Sequence, residues 1–226
     1  MKHAPEAAQI ADEIRSRLRA LSVASTPAIR SVRQQVSRQI KNQSPQVVMQ
    51  AAMLLLTRKS GALRFVAYEL VRCHKPTFES LSIESVLKLG AGIDSWSSVD
   101  SFAMILSGPT WLYGRIPNDA VYAWVDSEDL WWRRTALVST VALSRRGLAA
   151  DVNRVLSVCT RLATDSEDMV VKALSWALRE LSRKHPEQAR KFIAKHRKVL
   201  SARVIREVQN KLVTGLKTPR RKPPTE

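Results

Sequence analysis

Apolar residues recur at helical spacing along almost the entire chain, and this periodicity limits the folds that it can adopt. Ile10, Ile14 and Leu18 form one stripe, and Val32, Val36 and Ile40 form the next. Strand-like alternation of apolar and polar residues is nowhere sustained. Glycine is scarce, at 7 of 226 residues, which disfavours folds that depend on many tight turns. We therefore predict an all-α protein.

Short polar connections separate the predicted helices. Ser44-Pro45 and Ser60-Gly61 each interrupt the apolar pattern, and the first of them supplies a cap and a first-turn proline. Further helices are predicted to begin after a cap at Asp94 or Ser95 and after a cap at Ser127. Helices of about 10–18 residues joined in this way are typical of repeats in which each helix needs a neighbour to cover its apolar stripe.

The helical pattern repeats without a fixed residue signature, so we predict a HEAT-like helical-repeat solenoid with a concave basic channel. A helical bundle is the alternative. One repeat domain is expected over residues 1–216. A flexible basic tail is expected over residues 217–226, because its prolines exclude a helix.

The charge of the chain points to a polyanionic partner. There are 37 Lys and Arg residues against 20 Asp and Glu, a formal charge of +17, and residues 179–226 alone hold 15 basic and four acidic residues. A phosphate-facing surface is favoured over simple solubility, because ordinary surfaces mix both signs of charge. Nucleic acid is the first candidate partner, and an anionic membrane surface is the second.

The sequence shows no motif typical of a metal site, a nucleotide cofactor or a membrane span. Cys73 and Cys159 lie far apart, and we expect both to be buried, reduced thiols. The histidines form no ligand-spaced pair, and phosphate-loop, HExxH and GxSxG motifs are missing, so we predict no metal and no cofactor. Gly90-Ala91-Gly92 is interpreted as a turn. The most apolar stretch, Val47–Leu56, is about half a membrane span, so we expect a cytoplasmic protein, nucleoid-associated if bacterial, with no membrane attachment.

Three clusters combine tryptophan with charge. In the first, Trp96 and Asp100 are four residues apart on one face of a predicted helix. The residues of this helix expected to face the core are Val99, Phe102 and Leu106. A carboxylate beside an indole on a polar face has few structural uses. The alternative is that Trp96 belongs to the core and that Asp100 is solvated or paired with arginine.

The other two clusters are basic. Trp131 and Arg134 are three residues apart and share a face, whereas the adjacent Arg133 does not, so at most one of these arginines belongs to a given site. One tryptophan of this cluster is expected to be a packing residue. The third cluster places three residues on one helical stripe: Lys172, Trp176 and Arg179. Its alternative is an ordinary amphipathic helix with snorkelling basic side chains.

On different repeats of a solenoid, these clusters can converge in the concave channel. Its cations would suit phosphates. Its indole faces would suit a cationic ligand or the C–H edges of a sugar. The single carboxylate would suit stabilisation of a developing positive charge or alignment of a water molecule.

The order and spacing of these residues resemble the AlkD-like DNA alkylation-repair family, HEAT-like glycosylases that excise N3- and N7-alkylated purines. The resemblance covers about residues 10–210. Four motifs carry it: Thr26-Pro27-x-x-Arg30, Trp96-x-x-Val99-Asp100-Ser101, Ser127-x-x-x-Trp131-x-x-Arg134-x-Ala136 and Lys172-Ala173-x-x-Trp176-x-Leu178-Arg179-Glu180.

The resemblance implies that Asp100 is the catalytic carboxylate, that Trp96 and Trp176 are aromatic walls, and that Arg134 is the main cation at the lesion. The DNA-binding residues that we predict are Arg30, Arg133, Arg134, Lys172 and Arg179. The expected partner is double-stranded DNA that contains alkylated purines, bound by a monomer that needs no cofactor.

One position departs from the family pattern. Ile14 stands where the family often has a tyrosine that helps to wall the lesion, so a thinner aromatic cradle is expected. Two other functions remain open: a non-catalytic HEAT-like module that binds bent or branched nucleic acid, and a protein-interaction scaffold. The basic stripe of Lys172 and Arg179 disfavours the scaffold, and the presence of both Asp100 and Arg134 favours the enzyme.

Overall fold

Residues 5–219, the part of the chain that the computed structural model describes, form fourteen α-helices and one π-helical turn, with no strand among them. The prediction of an all-α protein is confirmed. In chain order the helices are α1 (Pro5–Arg19), α2 (Thr26–Gln39), α3 (Pro45–Leu56), α4 (Gly61–Cys73), α5 (Lys75–Glu79), α6 (Ile83–Gly90), α7 (Trp96–Phe102), α8 (Gly108–Leu112), α9 (Asn118–Val125), α10 (Leu130–Arg146), α11 (Asp151–Arg161), α12 (Asp168–Leu181), α13 (Pro186–His196) and α14 (Ala202–Thr214).

Local capping signals account for most helix starts. The side chains of Ser44, Ser60 and Ser95 each accept a hydrogen bond from a backbone N–H in the first turn of the helix that follows. The caps at Ser44 and at Ser95, one of two candidates, were predicted, whereas Ser60 was predicted only as a break between helices. The cap of α10 was predicted two residues too early, at Ser127. It is Asp129, whose carboxylate accepts from the Trp131 N–H at 2.8 Å, while Ser127 accepts from the Asp129 N–H.

The contacts divide the chain into two compact units, one that ends at Pro117 and one that begins at Asn118. In the first unit, α4 packs against α2, α3 and α7, and α1 packs against α2 and α3. In the second unit, α10 packs against α9, α11 and α12, and α12 also packs against α14. Each unit thus has a central helix, α4 or α10, that its neighbours cover.

A π-helical turn, Ala103–Ser107, joins α7 to α8 without a break in the helical backbone. Such turns are rare and often occur at functional sites, because they add a residue to one turn and re-aim the side chains beyond it. Before the π turn, Val99 and Phe102 are fully buried, and Phe102 packs on Tyr68 of α4 with ring centroids 5.4 Å apart. After it, Trp111 is fully buried as well.

Several smaller predictions can be compared directly with the structure. Gly90 is the last residue of α6, and Ala91-Gly92 form the turn that was predicted over residues 90–92; Gly92 has φ +69°, where glycine is favoured. Cys159 is buried, as predicted, but the prediction for Cys73 is wrong. Cys73 is exposed because it is the last residue of α4, where the helix leaves the core.

The predicted tail begins close to the end of α14. Gly215, at φ +74°, ends that helix in the left-handed conformation, and its N–H donates to the Lys211 carbonyl. Lys217 then pairs with Glu207 at 3.4 Å, so the first residue of the predicted tail is held against α14. Residues 220–226 of the tail lie outside the described residues. Within residues 5–219, no helix has both the length and the apolar character required to span a bilayer.

Candidate functional site

The start of α7 positions the first cluster. The Ser95 hydroxyl accepts from the Ser98 N–H at 3.4 Å, and the Ser98 hydroxyl accepts from the N–H groups of Ser95 and Asp94 at 3.2 and 3.3 Å. This reciprocal arrangement is a capping box with serine in place of the usual Glu or Gln. The cap is therefore Ser95, one of the two predicted residues. It fixes the backbone of the turn that carries Trp96.

The two faces of α7 differ sharply. Val99 and Phe102 are fully buried, whereas the Trp96 side chain is 57% exposed. Asp100, one turn later on the side of Trp96, is half-buried. The alternative that Trp96 is a core residue is therefore wrong. An indole with more than half of its surface in solvent, next to a carboxylate, is a feature that packing does not explain.

Arg64, a cation that none of the sequence motifs includes, lies near α7. The Arg64 guanidinium donates to the Tyr68 hydroxyl at 2.8 Å and to the carbonyls of Ala91 and Gly92 at 3.2 and 3.1 Å. These bonds hold the turn that leads into α7. Helical spacing alone does not reveal this role of Arg64, because the two carbonyl groups that it binds lie 27 and 28 residues further along the chain.

Arg30 lies on α2 and is half-exposed. Its Nε atom donates to Glu69 at 2.8 Å, and its guanidinium lies 5.2 Å from the centre of the Phe65 ring. Arg33 binds the other oxygen of Glu69 at 3.0 Å and is much more buried. Two arginines thus share one carboxylate, so this corner of the first unit keeps a net positive charge.

Arg133 is committed to the scaffold of the second unit. Its Nε atom donates to the Asp165 carboxylate at 2.7 Å, and its Nη1 atom donates to the carbonyls of Ser127 and Glu128 at 2.9 and 2.8 Å. The side chains of Arg133 and Asp165 are only 18% and 10% exposed. Arg133 therefore joins the connection before α10 to the connection before α12.

Arg134, the cation predicted to be most important, is also buried, at 5% exposure. Its guanidinium donates to the Met169 carbonyl in the first turn of α12, at 2.5 Å. The two arginines point to different partners, as their spacing predicted. Trp132 packs against Trp124 with ring centroids 5.3 Å apart, so this cluster has the expected packing tryptophan. Trp131 is half-buried.

The α12 cluster exposes a cation and an indole on one stripe. Lys172 is 41% exposed and pairs with Asp168 at 2.6 Å, and Asp168 also contacts Arg203 at 3.1 Å. The hydrogen bond from Lys172 lowers the pKa of Asp168. Trp176, one turn after Lys172, is half-buried, and its side chain hydrogen-bonds Glu180.

Glu180 is a junction between α10 and α12. Arg145 donates to both of its carboxylate oxygens, at 2.9 and 3.1 Å. Burial alone would raise the pKa of Glu180, but the hydrogen bond and charge of Arg145 outweigh burial and lower it. Because Glu180 also accepts from Trp176, the same carboxylate that ties the helices together orients the indole.

Arg179 lies above a buried carboxylate. It donates to the Ser175 hydroxyl at 3.3 Å and lies 3.9 Å from Glu207 of α14, and its side chain is 18% exposed. Desolvation lowers the pKa of Arg179, but Glu207 favours its charged form. Ser175 donates to Glu207 at 2.6 Å, and Lys217 binds the other oxygen of that carboxylate. The Glu207 carboxylate therefore lies beside two cations, Arg179 and Lys217.

Exposed cations lie on α13 and on the turn that follows it: Lys191, Lys195, Arg197 and Lys198. Lys191 and Lys195 are four residues apart, so they repel each other on one face. The nearby acid Glu187 is paired with Arg190. A face of this kind is well suited to a phosphate backbone.

The predicted site residues are divided between the two units. In the first, Trp96 and Asp100 share a face of α7, and Arg30 lies on α2. In the second, Lys172, Trp176 and Arg179 follow one side of α12. No group of histidine, cysteine, aspartate and glutamate side chains suited to a metal occurs among residues 5–219.

A family model described as DNA alkylation repair enzyme matches residues 2–212. The chain belongs to this family. Membership in the DNA alkylation repair enzyme family implies a role in the repair of alkylated DNA, and therefore an interaction with DNA. It confirms the resemblance inferred from the four sequence motifs.

A solved structure, described as a predicted DNA alkylation repair enzyme from Enterococcus faecalis, has the same helical-repeat fold. It is 18% identical to this chain, the TM-score is 0.66, and the alignment covers 95% of this chain and 98% of that one. A search of the curated proteins found no match.

The position where relatives often have a tyrosine does not line a surface in this member of the family. Ile14 is fully buried in α1, a helix that packs against α2 and α3. Its side chain therefore belongs to the core of the first unit.

Proposed function

We propose that this DNA alkylation repair enzyme is a glycosylase that hydrolyses the N-glycosidic bond of N3- and N7-alkylated purines in duplex DNA. The observation that carries the proposal is the outer face of α7, where Trp96 is 57% exposed one turn before the half-buried Asp100. The inner face of the same helix is buried in the core through Val99 and Phe102, so the backbone that carries these two side chains is anchored.

The chemistry requires only one carboxylate. An N7- or N3-alkylated purine in DNA is a cation, so it departs as a neutral base when the bond to C1′ breaks and the bonding electrons move to the purine. Water adds to C1′ and loses a proton to solvent, and the products are the free base and an abasic site. Asp100 would stabilise the oxocarbenium-like transition state and position the water. Sugar hydrolases that must protonate a poor leaving group generally use two carboxylates.

The aromatic residues suit the same substrate. The exposed face of Trp96 can contact the C–H edges of the deoxyribose or the cationic base. We assign Trp176 the second aromatic contact, with the indole oriented by its hydrogen bond to Glu180. Neither role needs a pocket that encloses the base.

The predicted cations differ in how much surface they offer to DNA. Arg30 and Lys172 are about half-exposed, and both support direct contacts with phosphates. Arg133 and Arg134 are largely buried and donate to protein oxygens. We therefore assign Arg133 to the scaffold, Arg134 to the support of α12, and Arg179 to a contact with DNA through its exposed edge.

The test is release of 7-methylguanine from a methylated duplex by the purified protein and by the Asp100→Asn variant. We expect the variant to lose about 10²–10³-fold in the single-turnover rate, as when one preorganised electrostatic group is removed. Its affinity for DNA should be unchanged or higher, because one negative charge is lost. Asp94→Asn is the matched control, since Asp94 is an exposed carboxylate just before the same helix.

Two outcomes would overturn the proposal. If the wild-type protein binds duplex DNA but releases no base from any alkylated substrate, the alternative of a non-catalytic nucleic-acid-binding module is correct. If Asp100→Asn releases the base as fast as the wild-type protein, the carboxylate is misassigned.

A further inference from the structure

A cavity of about 210 Å³ lies beside α7 in the first unit. We propose that it binds one phosphate of the DNA backbone, the phosphate next to the damaged nucleotide. This inference rests on the proposed glycosylase function, because it places the phosphate by reference to Asp100. The cavity is lined by residues of α2, α4 and α7, among them Thr26, Arg64, Phe65, Ser97 and Ser101.

The charge of the cavity favours an anion. Arg64 is the cation in its wall, and no carboxylate occurs among the residues that line it. The hydrogen-bond partners of Arg64 given above are a tyrosine hydroxyl and two backbone carbonyls, all of them neutral. The positive charge of Arg64 is therefore not cancelled by these partners, and three hydrogen bonds hold the guanidinium in place.

The other polar groups of the cavity are hydroxyls. Thr26 and Ser97 are exposed and Ser101 is half-buried. Each of these hydroxyls can donate to the non-bridging oxygens of a phosphodiester, which accept hydrogen bonds and cannot donate them. The 14-residue α2 and the 13-residue α4 also begin at this cavity, so their N-terminal dipoles add to the field of Arg64.

The position of the cavity defines which phosphate it would take. In α7, Ser97 directly follows Trp96, and Ser101 directly follows Asp100. Each serine is thus rotated by about 100° around the helix axis from the residue before it. A phosphate held by these hydroxyls would thus be adjacent to the sugar that faces Asp100. This arrangement would fix the register of the damaged strand without any contact to the base.

The same charge argues against a base-binding pocket. The leaving purine is a cation before the bond breaks, and Arg64 would repel it. A phosphate is attracted by Arg64 and also keeps the strand in place while the base departs. The cavity and the exposed Trp96 would therefore serve different parts of one nucleotide.

The test is a scan with uncharged linkages. Single methylphosphonates are placed at successive positions around a stable abasic-site analogue in a duplex, and affinity is measured by fluorescence anisotropy. For the wild-type protein, one linkage beside the analogue should reduce affinity about tenfold, the loss of one charge-assisted contact. For Arg64→Gln, affinity for the all-phosphate duplex should be about tenfold lower, and the same methylphosphonate should have no further effect.

Two further variants make this test decisive. Arg38→Gln removes an exposed cation of α2 that does not line the cavity, and it should leave the wild-type response to that methylphosphonate unchanged. Ser101→Ala keeps the bonds of Arg64 to the turn before α7, and it should reduce the response partially. If Arg64→Gln and Ser101→Ala, folded by circular dichroism, respond to every methylphosphonate as the wild type does, the phosphate site is refuted. Because binding is measured without base release, the outcome is separate from that of the glycosylase assay.

Discussion

Arg133→Ala separates a structural role of Arg133 from a DNA-binding role. The substitution removes one hydrogen bond to the Asp165 carboxylate at 2.7 Å and two bonds to the carbonyls of Ser127 and Glu128. It also leaves the Asp165 carboxylate, at 10% exposure, without this cation. Removing one partner of a buried ion pair costs about 3–5 kcal/mol. Because the Arg133 side chain retains 18% exposure, we expect the lower end, about 3 kcal/mol.

The assay is urea denaturation followed by tryptophan fluorescence, together with a thermal melt. For a protein of this size, a loss of about 3 kcal/mol corresponds to a fall in Tm of about 6–12 °C. In the Arg133→Ala background, Asp165→Asn should recover part of the loss, because it removes the uncompensated charge. The salt dependence of DNA binding should stay close to that of the wild-type protein.

Lys172→Ala is the matched control, because the ion pair of Lys172 with Asp168 is exposed to solvent. It should leave stability nearly unchanged and should reduce the slope of log K against log salt by about 0.9, the value for one phosphate contact. The reasoning is refuted if the results are exchanged, so that Arg133→Ala lowers the salt slope by about one and leaves the unfolding free energy unchanged.

Two predictions concern groups with shifted pKa values. Burial raises the pKa of Cys159 to about 12. At pH 8, a thiol reagent should therefore label only Cys73 in the native protein and both cysteines in urea. Rapid labelling of Cys159 without denaturant would contradict its burial. The pKa of Glu180 is lowered in the folded state despite partial burial, chiefly by Arg145. The ionised Glu180 therefore stabilises the fold above its unfolded pKa, near 4.5. This stabilisation is lost as the pH falls through the folded pKa. The difference in Tm between the wild-type protein and Glu180→Gln should therefore shrink from pH 7 to pH 3, and a difference that is constant with pH would show that the ion pair is not its source.

Much of the fold follows from short-range patterns in the sequence. The helical period of the apolar residues predicted the all-α class, and a polar residue before a helix start predicted the cap at Ser44 and, as one of two candidates, the cap at Ser95. These signals are local because a cap bonds to N–H groups only two or three residues away. The error at Ser127 has the same origin: Ser127 and Asp129 both have acceptor side chains, and only the backbone geometry decides which one caps α10.

The partners of the arginines could not be predicted in this way. Arg133 bonds to Asp165, and Arg134 bonds to Met169, 32 and 35 residues further along the chain. Helical spacing shows which face a side chain occupies, but it does not show which element covers that face. The sequence could therefore predict that Trp96 and Asp100 share one face of a single helix, but it could not predict the partners of the cations, which depend on packing between helices. Arg64 was missed for the same reason.

The π turn at Ala103–Ser107 has a consequence for the α7 surface. Trp111 follows Asp100 by 11 residues, which is about three full turns of an α-helix. A regular helix would point both side chains the same way. The extra residue of a π turn rotates everything beyond it by about 100°, so Trp111 enters the interior, at 0% exposure, while Asp100 faces outward. A shift of one residue in helical phase thus separates a half-buried carboxylate from a fully buried indole that would otherwise lie on the same face of a continuous helix.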